Sequence, residues 1–335
     1  MSEPSVAASK VAPWIAAQTQ SLLAQRGHAW LLAGPSGLGQ YELALALVRA
    51  WLCEHATAQG ACGSCGSCHA IEVRAHADLC VLMPETVMLA LNWPLSEKAQ
   101  DEIDSKKRKP SKEIRVDAMR DTVEFAQRTS ARGRGKAVLV FPAERMNVYT
   151  ANALLKTLEE PAGDVKFVLA SDAAHQLLPT IRSRCLGHTM NWPDQSTAMA
   201  WLREQGVSTQ QASVMLRAAG GRPQDALQFA PIAALWPRLP RAVQAGDVNV
   251  FKDWTPAQTV DALHKLCHDL MAVHSGAAPR FFEQDDLPKA GGWQSLSHWA
   301  KSLSDTMRTV EHPFNAGLMV EALVSQAQLA LHSKA

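Results

Sequence analysis

Apolar residues in the first 190 positions follow two alternating patterns. Short, continuous apolar runs have the length and composition of buried strands, and they fall at residues 29–33, 78–82, 137–141 and 165–170. Between these runs, apolar residues recur at helical spacing, at residues 11–26, 41–51, 114–128, 150–159 and 177–184. Strands that alternate with helices predict an α/β domain with a parallel sheet and helices on both faces. Residues 185–190 would add an edge segment to that sheet.

The pattern changes near residue 191. From there to residue 335, helical spacing continues with almost no strand signal. The pair Gly220-Gly221 and the proline-rich residues 231–240 interrupt it. We therefore predict that an all-α half follows the α/β domain and that it contains a small helical unit and a longer one.

Residues 84–112 interrupt the α/β pattern. This segment is polar, has little periodicity and contains a basic run, Lys106-Lys107-Arg108-Lys109. Such a composition predicts an insertion or a mobile loop. The basic run could contact DNA phosphates, but a solvated loop is the more common meaning of such a run.

The composition narrows the class of protein. The chain has 335 residues, of which 47% are hydrophobic, and its formal net charge is only +1. This balance allows large hydrophobic cores and excludes a strongly basic surface over the whole protein. The chain contains no run of about 18 uncharged apolar residues, so we expect no membrane span. Residues 1–10 lack the basic and apolar regions of a signal peptide, and we expect a cytoplasmic protein with no membrane partner.

Four of the seven cysteines are clustered within residues 53–68. Cys53, Cys62, Cys65 and Cys68 have the spacing C-x8-C-x2-C-x2-C, whose two-residue spacings suit a knuckle that converges on one metal ion. Four thiolates close a tetrahedral Zn²⁺ site without an open position, so the predicted role of the metal is structural. A redox C-x2-C pair or buried free thiols are the alternatives.

A glycine-rich segment joins the first predicted strand to the next helix. It reads Gly-Pro-Ser-Gly-Leu-Gly-Gln-Tyr, where a working P-loop reads G-x-x-x-x-G-K-[ST]. Gly34 and Gly39 stand at the two glycine positions, with Gly37 between them, so the loop could keep its shape. Gln40 replaces the lysine that neutralises phosphate charge, and Tyr41 replaces the hydroxyl group that binds Mg²⁺. A glycine-rich turn unrelated to nucleotide binding is the alternative.

Two further segments lack the chemistry that recognises a nucleotide. The third predicted strand ends in Phe141 and Pro142, where hydrolysing enzymes carry an Asp-Glu pair that holds Mg²⁺ and orients water. Gln224 lies in a segment like the second sensor of such enzymes, at the position where an arginine would read the γ-phosphate. One loss could be a variant, but losses at three sites predict that ATP hydrolysis is absent.

Two motifs and the cysteine cluster resemble a known family. Residues 151–161 read Ala-Asn-Ala-Leu-Leu-Lys-Thr-Leu-Glu-Glu-Pro and are very similar to the signature that follows the Walker B strand in clamp loaders. Ser183-Arg184-Cys185 matches the Ser-Arg-Cys motif of the same proteins. The chain therefore resembles the AAA+ clamp-loader family of bacterial DNA polymerase III over about residues 28–190. The remainder resembles that family only in length and helical character.

The resemblance implies an architecture and a set of partners. The implied domains are an AAA+ P-loop-type α/β domain (residues 1–190), a small helical lid (191–232) and an all-α collar for oligomerisation (233–335). Because the P-loop lacks its lysine and hydroxyl residue, the resemblance also implies a subunit without ATP hydrolysis of its own. The implied partners are the tau/gamma and delta subunits and, through the complex, the sliding clamp and primer-template DNA.

The resemblance also implies a role for Arg184. In clamp loaders the arginine of this motif is an arginine finger, which reaches the γ-phosphate of ATP bound to the adjacent subunit. A permanently charged guanidinium that can bond two phosphate oxygens suits that task. An ordinary surface or ion-paired arginine is the alternative reading, and Arg182 is a second candidate for the finger.

Two other functions stay open at this point. A divergent P-loop could still hydrolyse ATP, although Gln40, Tyr41, Phe141 and Pro142 argue against it. A stand-alone zinc-dependent nucleic-acid-binding protein is the second alternative. The near-neutral charge and the lack of a basic, aromatic stripe weaken it.

Overall fold

The chain folds into two compact units. The computed structural model describes residues 11–289, 292–310, 312 and 315–333. The first unit is Met1–Pro193 and the second is Asp194–Ala335. The expected lack of a signal peptide concerns residues 1–10, which lie outside the described residues. Among the residues described, no helix combines the length and the apolar character needed to span a membrane.

A five-stranded parallel sheet forms the centre of the first unit. Its strands are β1 (Ala29–Ala33), β2 (Leu79–Leu82), β3 (Lys136–Val140), β4 (Val165–Ser171) and β5 (Leu186–Thr189). They lie side by side in the order β2-β3-β4-β1-β5. The predicted α/β class and the four predicted strands are confirmed, and the predicted edge segment is β5.

Eight α-helices of the first unit lie among the described residues. They are α1 (Pro13–Leu23), α2 (Gln40–Leu52), α3 (Gly66–Glu72), α4 (Glu85–Ala90), α5 (Glu97–Asp104), α6 (Val116–Gln127), α7 (Val148–Glu159) and α8 (Pro179–Arg182). Helices on both faces of the sheet are confirmed. The central strand β3 is buried along its whole length, as expected for a parallel sheet covered on both sides.

The strand register brings three strand ends together. Ala33, the last residue of β1, lies beside Ser171 of β4 and Thr189 of β5. The backbone N–H of Gly34 then donates to the Ser171 carbonyl oxygen at 3.3 Å. The glycine-rich loop therefore begins at the carboxyl edge of the sheet, where open α/β sheets bind their ligands.

The second unit is helical in all its regular elements among the described residues. Its helices are α9 (Gln195–Glu204), α10 (Thr209–Ala218), α11 (Pro223–Gln228), α12 (Leu239–Ala245), α13 (Pro256–His274), α14 (Trp293–Thr309) and α15 (Ala316–His332). The three longest, α13, α14 and α15, contribute Leu263, Leu303 and Val324 to one buried apolar cluster. The all-α character predicted for this half is confirmed.

The same apolar cluster continues across the predicted boundary at residue 232. Ala218 of α10 belongs to it together with Trp236 and Leu239. The Trp236 ring stacks on that of Phe282 with centroids 4.7 Å apart, and its Nε1–H donates to the Phe281 carbonyl oxygen at 3.0 Å. The division of this unit into a lid and a collar stays a prediction.

Residues 84–112 are folded, which corrects the expectation of a mobile loop. The segment contains α4 and α5, and the Arg108 side chain joins them. Its guanidinium contacts the Glu85 carboxylate at 2.5 and 2.7 Å and Glu102 Oε2 at 2.7 Å. Arg108 therefore faces protein carboxylates, although it belongs to the basic run that was considered for DNA. Ion pairs leave no apolar periodicity in a sequence, which is why the pattern did not reveal this structure.

Glu85→Gln should destabilise the protein at neutral pH. Glu85 is only 7% exposed and accepts the Ser111 backbone N–H at 2.8 Å in addition to the Arg108 contacts. Loss of its charge weakens the acceptor for these donors, so we expect the free energy of unfolding to fall by about 1–2 kcal/mol in urea denaturation. Glu113→Gln is the matched control because Glu113 is exposed. An equal loss in both variants would contradict the assignment.

The same contact predicts a pH dependence. The Arg108 guanidinium, hydrogen-bonded to Glu85, holds the pKa of that carboxyl below its ordinary value. The stabilisation is therefore complete above the ordinary glutamate pKa of about 4.3 and is lost as the pH falls through the lower pKa of the folded state. Between about pH 5 and about pH 3, Glu85→Gln should lose stability less steeply than the wild type.

Candidate functional site

The glycine-rich loop between β1 and α2 has a compact, anchored form. Gly37 and Gly39 have φ of 79° and 96°, in the left-handed region that only glycine adopts without strain. Leu38, between them, is fully buried, and its carbonyl oxygen accepts the Trp14 Nε1–H at 2.8 Å. A Cβ atom at Gly34 would lie 2.8 Å from a neighbouring side chain, so a larger residue would not fit there without movement. The glycines therefore serve the loop shape that their spacing predicts.

The side chain of Gln40 turns back onto this loop. Gln40 is 2% exposed, and its Nε2 donates to the carbonyl oxygens of Gly34 at 2.8 Å and Pro35 at 2.7 Å. Both N–H groups of the amide are thereby used. A P-loop recognises phosphate with a lysine charge and backbone N–H groups. Here a neutral amide and two backbone carbonyls satisfy one another at the lysine position.

Aromatic residues occupy the positions where Mg²⁺ ligands would stand. Tyr41 is 8% exposed, and its ring centroid lies 5.5 Å from that of Phe141 at the end of β3. The Trp93 Nε1–H donates to the Tyr41 hydroxyl oxygen at 2.8 Å. Burial raises the pKa of Tyr41 above its ordinary value, so the phenol stays neutral. This cluster offers aromatic surface and neutral groups where a metal ion would need carboxylate and hydroxyl oxygens.

Two residues of this region were not among the predicted site residues. Trp93 belongs to residues 84–112 and lies 52 positions from Tyr41 in the sequence. Glu144 accepts the Ser171 Oγ–H at 2.7 Å, across 27 positions, and so ties the segment after β3 to the end of β4. Only the fold pairs residues this far apart, so no spacing rule could have found them.

Gln224 belongs to the second unit. It lies in the first turn of α11 and is partly exposed. Gln40, Tyr41 and Phe141 of the first unit are thus the predicted nucleotide-site residues that the structure brings together at one edge of the sheet.

Arg184 is held by its own chain. Its Nε donates to Glu159 Oε1 at 2.6 Å, and its Nη2 contacts the same oxygen atom. Its Nη1 donates to the carbonyl oxygen of Thr180 at 2.8 Å. The ion pair is partly open to solvent, with side-chain exposures of 30% for Arg184 and 47% for Glu159. Arg182, the second candidate, is exposed.

Arg184 and the glycine-rich loop lie at opposite ends of the strands of the sheet. Arg184 precedes β5, whose first residue, Leu186, is in register with Trp30 near the start of β1. The loop follows the other end of β1. Strand residues rise about 3.3 Å each, so the five residues of β1 separate the two edges by roughly 15 Å. The Arg184 backbone is therefore placed away from the loop of its own chain.

The four clustered cysteines have the geometry of a metal site. The sulfur atoms of Cys53, Cys62, Cys65 and Cys68 all lie within 4.8 Å of one another. Cys53 Sγ is 3.5 Å from Cys62 Sγ and 3.8 Å from Cys65 Sγ. A tetrahedral ion with metal–sulfur bonds of about 2.3 Å would place its sulfur ligands about 3.8 Å apart. The observed distances fit such an ion, and the cluster could hold a metal.

The electrostatics of the cluster favour a bound cation. Cys53 Sγ accepts backbone N–H groups from His55 at 3.4 Å and Cys62 at 3.2 Å. Backbone N–H groups lower the pKa of Cys62 to about 6, whereas burial raises the pKa of Cys68 to about 12. Four thiolates in one small space repel one another, and a divalent cation offsets that repulsion and the cost of burial.

Glu54 fastens the cysteine cluster to the segment before β3. Its Oε1 accepts the Ser67 backbone N–H at 2.9 Å and the Ser67 hydroxyl at 3.0 Å, and these bonds lower the pKa of Glu54. The same oxygen lies 3.4 Å from Arg132 Nη1, and Arg134 donates to the Glu54 carbonyl oxygen. The cluster is thereby joined to residues about 70–80 positions further along the chain.

Comparison with known proteins identifies the family. A family model described as "DNA polymerase III, delta subunit" matches residues 15–192. DNA polymerase III subunit delta' of Escherichia coli K12 is 32% identical over 79% of this chain and 78% of that protein. The chain belongs to the DNA polymerase III delta' family. The delta' subunit of Pseudomonas aeruginosa is 38% identical over 57% of this chain, and the match spans 52% of that protein, about half its length.

A solved structure supports the fold. The structure of a DNA polymerase III gamma subunit-related protein from Thermotoga maritima matches 95% of this chain and 100% of its own, with a TM-score of 0.51 and 16% identity. At this identity the likeness concerns the fold alone. Among sequence relatives, the tau subunit of Salmonella typhimurium is 32% identical over 60% of this chain and 28% of that protein.

Restoring the two missing P-loop residues should not restore nucleotide binding. In Gln40→Lys/Tyr41→Thr, Phe141 and Trp93 would still stand where the groups that bind Mg²⁺ are needed. We therefore expect no heat of binding for MgADP or MgATP in titration calorimetry. The double variant should also unfold at a lower temperature than the wild type. The reason is that the Gly34 and Pro35 carbonyls lose Gln40 and the Trp93 N–H loses its acceptor. Saturable binding at micromolar nucleotide would show that the site is not blocked.

Proposed function

We propose that this chain is a non-hydrolysing subunit of a bacterial DNA polymerase III clamp loader and that it helps to load the sliding clamp onto primed DNA. The observation that carries the proposal is the closed loop at Gln40, in a chain that belongs to the delta' family. The neutral amide and the aromatic cluster of Tyr41, Phe141 and Trp93 replace the groups that would neutralise phosphate and bind Mg²⁺. On this proposal the subunit contributes structure to the complex and contributes to ATP turnover only at a neighbour's site.

The partners follow from the same proposal. Relatives of this chain are named as delta', tau and gamma subunits of DNA polymerase III. We expect this chain to assemble with tau/gamma and delta subunits in the cytoplasm and to meet the clamp and primer-template DNA through that complex. Residues 191–232 would then act as the lid and residues 233–335 as the collar that joins the ring.

Arg184 is the group that would act on a neighbour's nucleotide. It lies at the edge of the sheet opposite to the closed loop, so its placement suits a contact with another subunit. A guanidinium remains charged at any physiological pH and can bond two phosphate oxygens. We therefore assign Arg184 as an arginine finger in trans to the γ-phosphate of ATP on an adjacent subunit.

Arg184→Ala should slow ATP hydrolysis at one site of the reconstituted complex. Where arginine fingers have been measured, they contribute about 10³–10⁵ in rate. Steady-state turnover should therefore fall by the share that this one site contributes, while light scattering shows a complex of unchanged mass. Arg182→Ala is the matched control because Arg182 is the exposed arginine two positions away. Unchanged turnover in Arg184→Ala, or an equal loss in Arg182→Ala, would overturn the assignment.

We also propose that the cysteine cluster holds Zn²⁺ in a structural role. Four sulfur ligands at the observed spacings suit zinc, and they leave no open position for catalysis. The ion would be held by Cys53, Cys62, Cys65 and Cys68 and would supply positive charge to four thiolates, of which those of Cys53, Cys65 and Cys68 are buried. A redox pair would instead require a disulfide to form among residues that all converge on one point.

Zinc content tests this assignment. Purified protein should contain about one zinc per chain by atomic emission, and Cys68→Ser should lower both the zinc content and the unfolding temperature, because structural zinc stabilises the folded state. Cys267→Ser is the control, since Cys267 is a buried cysteine of the second unit and should leave the zinc content unchanged. Wild-type protein purified without chelators that contains no zinc would exclude the site.

The alternative functions are less well supported. A divergent ATPase would need a group that reads phosphate at the loop, and Gln40 is engaged with loop carbonyls instead. A stand-alone nucleic-acid-binding protein would not account for the delta' family match over residues 15–192. The nucleotide titration and the mass of the reconstituted complex by light scattering separate these cases.

A further inference from the structure

The contacts of Arg184 leave part of its guanidinium unused. An arginine side chain has five N–H groups, one on Nε and two on each of Nη1 and Nη2. The contacts described for Arg184 use one on each nitrogen, namely two toward Glu159 Oε1 and one toward the Thr180 carbonyl oxygen. Within the part of the chain that the structure describes, one N–H on Nη1 and one on Nη2 therefore remain without an acceptor. Such a pair can bond two oxygen atoms of one phosphate group.

The two acceptors are placed by folded elements. Glu159 is the last residue of α7, and Thr180 lies in α8, which ends two residues before Arg184. Ile181 of α8 is fully buried, so the short helix is fixed to the core. A long arginine side chain loses about 2 kcal/mol of rotamer entropy when it is ordered. Acceptors fixed by α7 and α8 restrict its rotamers before a phosphate arrives.

We propose that Glu159 is a positioning residue for the trans arginine. This inference rests on the proposed function of Arg184 and concerns how that residue is aimed. Glu159 binds the side chain through Nε and Nη2, and this contact presents the two unused N–H groups to the γ-phosphate of the neighbour's nucleotide. Glu159 does not touch the nucleotide, and its effect is transmitted through Arg184.

A purely structural role for the ion pair is less consistent with its surroundings. Both side chains are partly exposed, and exposed ion pairs contribute about 0–1 kcal/mol to stability. A role in which Glu159 withholds Arg184 from the nucleotide predicts the opposite sign, because loss of the carboxylate would then release the arginine and raise turnover. Catalytic geometry is sensitive to small displacements, so loss of orientation should instead lower the rate.

Glu159→Gln tests the proposal in the reconstituted complex. Glutamine keeps the size of the side chain and removes its charge. We expect the rate constant of hydrolysis at the adjacent site to fall about tenfold in single-turnover assays, with little change in the ATP concentration for half-saturation. Adding Glu159→Gln to Arg184→Ala should cause no further loss, because a positioning residue acts only through the residue that it positions. Glu159→Asp, which keeps the charge, should recover part of the rate.

Glu160→Gln is the matched control. Glu160 is the adjacent exposed glutamate, so its variant changes the net charge equally and should leave the rate unchanged. Thermal denaturation of each free subunit reports whether a variant has lost its fold, and we expect less than about 1 kcal/mol of change for Glu159→Gln.

The outcomes separate the two proposals. If Arg184→Ala has no effect, the finger assignment itself fails. If Arg184→Ala slows hydrolysis but Glu159→Gln equals or exceeds the wild-type rate, the finger stands and the positioning role of Glu159 is overturned. A further loss in the double variant, beyond that of Arg184→Ala, would also overturn it, because Glu159 would then act by another route.

Discussion

Closure of the glycine-rich loop on its own chain is the constraint around which the first unit is arranged. The Gln40 amide donates both N–H groups to the loop carbonyls of Gly34 and Pro35. A lysine at this position could offer its charge to a bound phosphate. The Gln40 amide instead donates its N–H groups to carbonyl oxygens of the same chain. The aromatic rings of Tyr41 and Phe141 occupy the positions where Mg²⁺ ligands would stand in a working P-loop protein. The glycine positions of a P-loop are kept, but two of the loop's carbonyl groups are paired with the side chain at the lysine position.

The folded state of residues 84–112 is connected to this closure. Trp93 of that segment donates to the Tyr41 hydroxyl, and its ring is covered by the Arg74 guanidinium at 4.3 Å. The Arg108 contacts with Glu85 and Glu102 give the same segment its own order. A segment with the composition of a solvated loop thus becomes part of the structure around the closed site. The charge of Arg108, in the basic run, is paired with two carboxylates of the same segment, so composition alone was a poor guide to its role.

The two candidate functional features of the first unit, the glycine-rich loop and Arg184, lie at opposite ends of the strands of the parallel sheet. The closed loop lies at the carboxyl edge, and Arg184 enters at the amino edge beside the start of β1. The charged group and the closed loop are therefore kept apart within one domain. Glu159 holds that charged group through Nε and Nη2, and the Thr180 carbonyl oxygen holds it through Nη1.

The sequence by itself determined the α/β class, the four main strands, the all-α second half, the cysteine cluster and the positions of the altered P-loop. These features depend on local composition and spacing, because buried strands and helices have characteristic apolar patterns and converging ligands have characteristic separations. The family resemblance added Arg184, which no periodicity would have selected. Gln40 and Tyr41 could be recognised as substitutions for Lys and Ser/Thr, but their neighbours could not be named.

The tertiary structure alone decided what these residues contact. Trp93 reaches Tyr41 across 52 positions, Arg184 reaches Glu159 across 25, and Arg132 reaches Glu54 across 78. The energy of each of these contacts depends on the distance between the polar groups and on their burial. Neither quantity is encoded in the spacing of apolar residues. Local periodicity therefore predicted the elements, while long-range pairing of polar side chains determined how the site is closed and how its arginine is held.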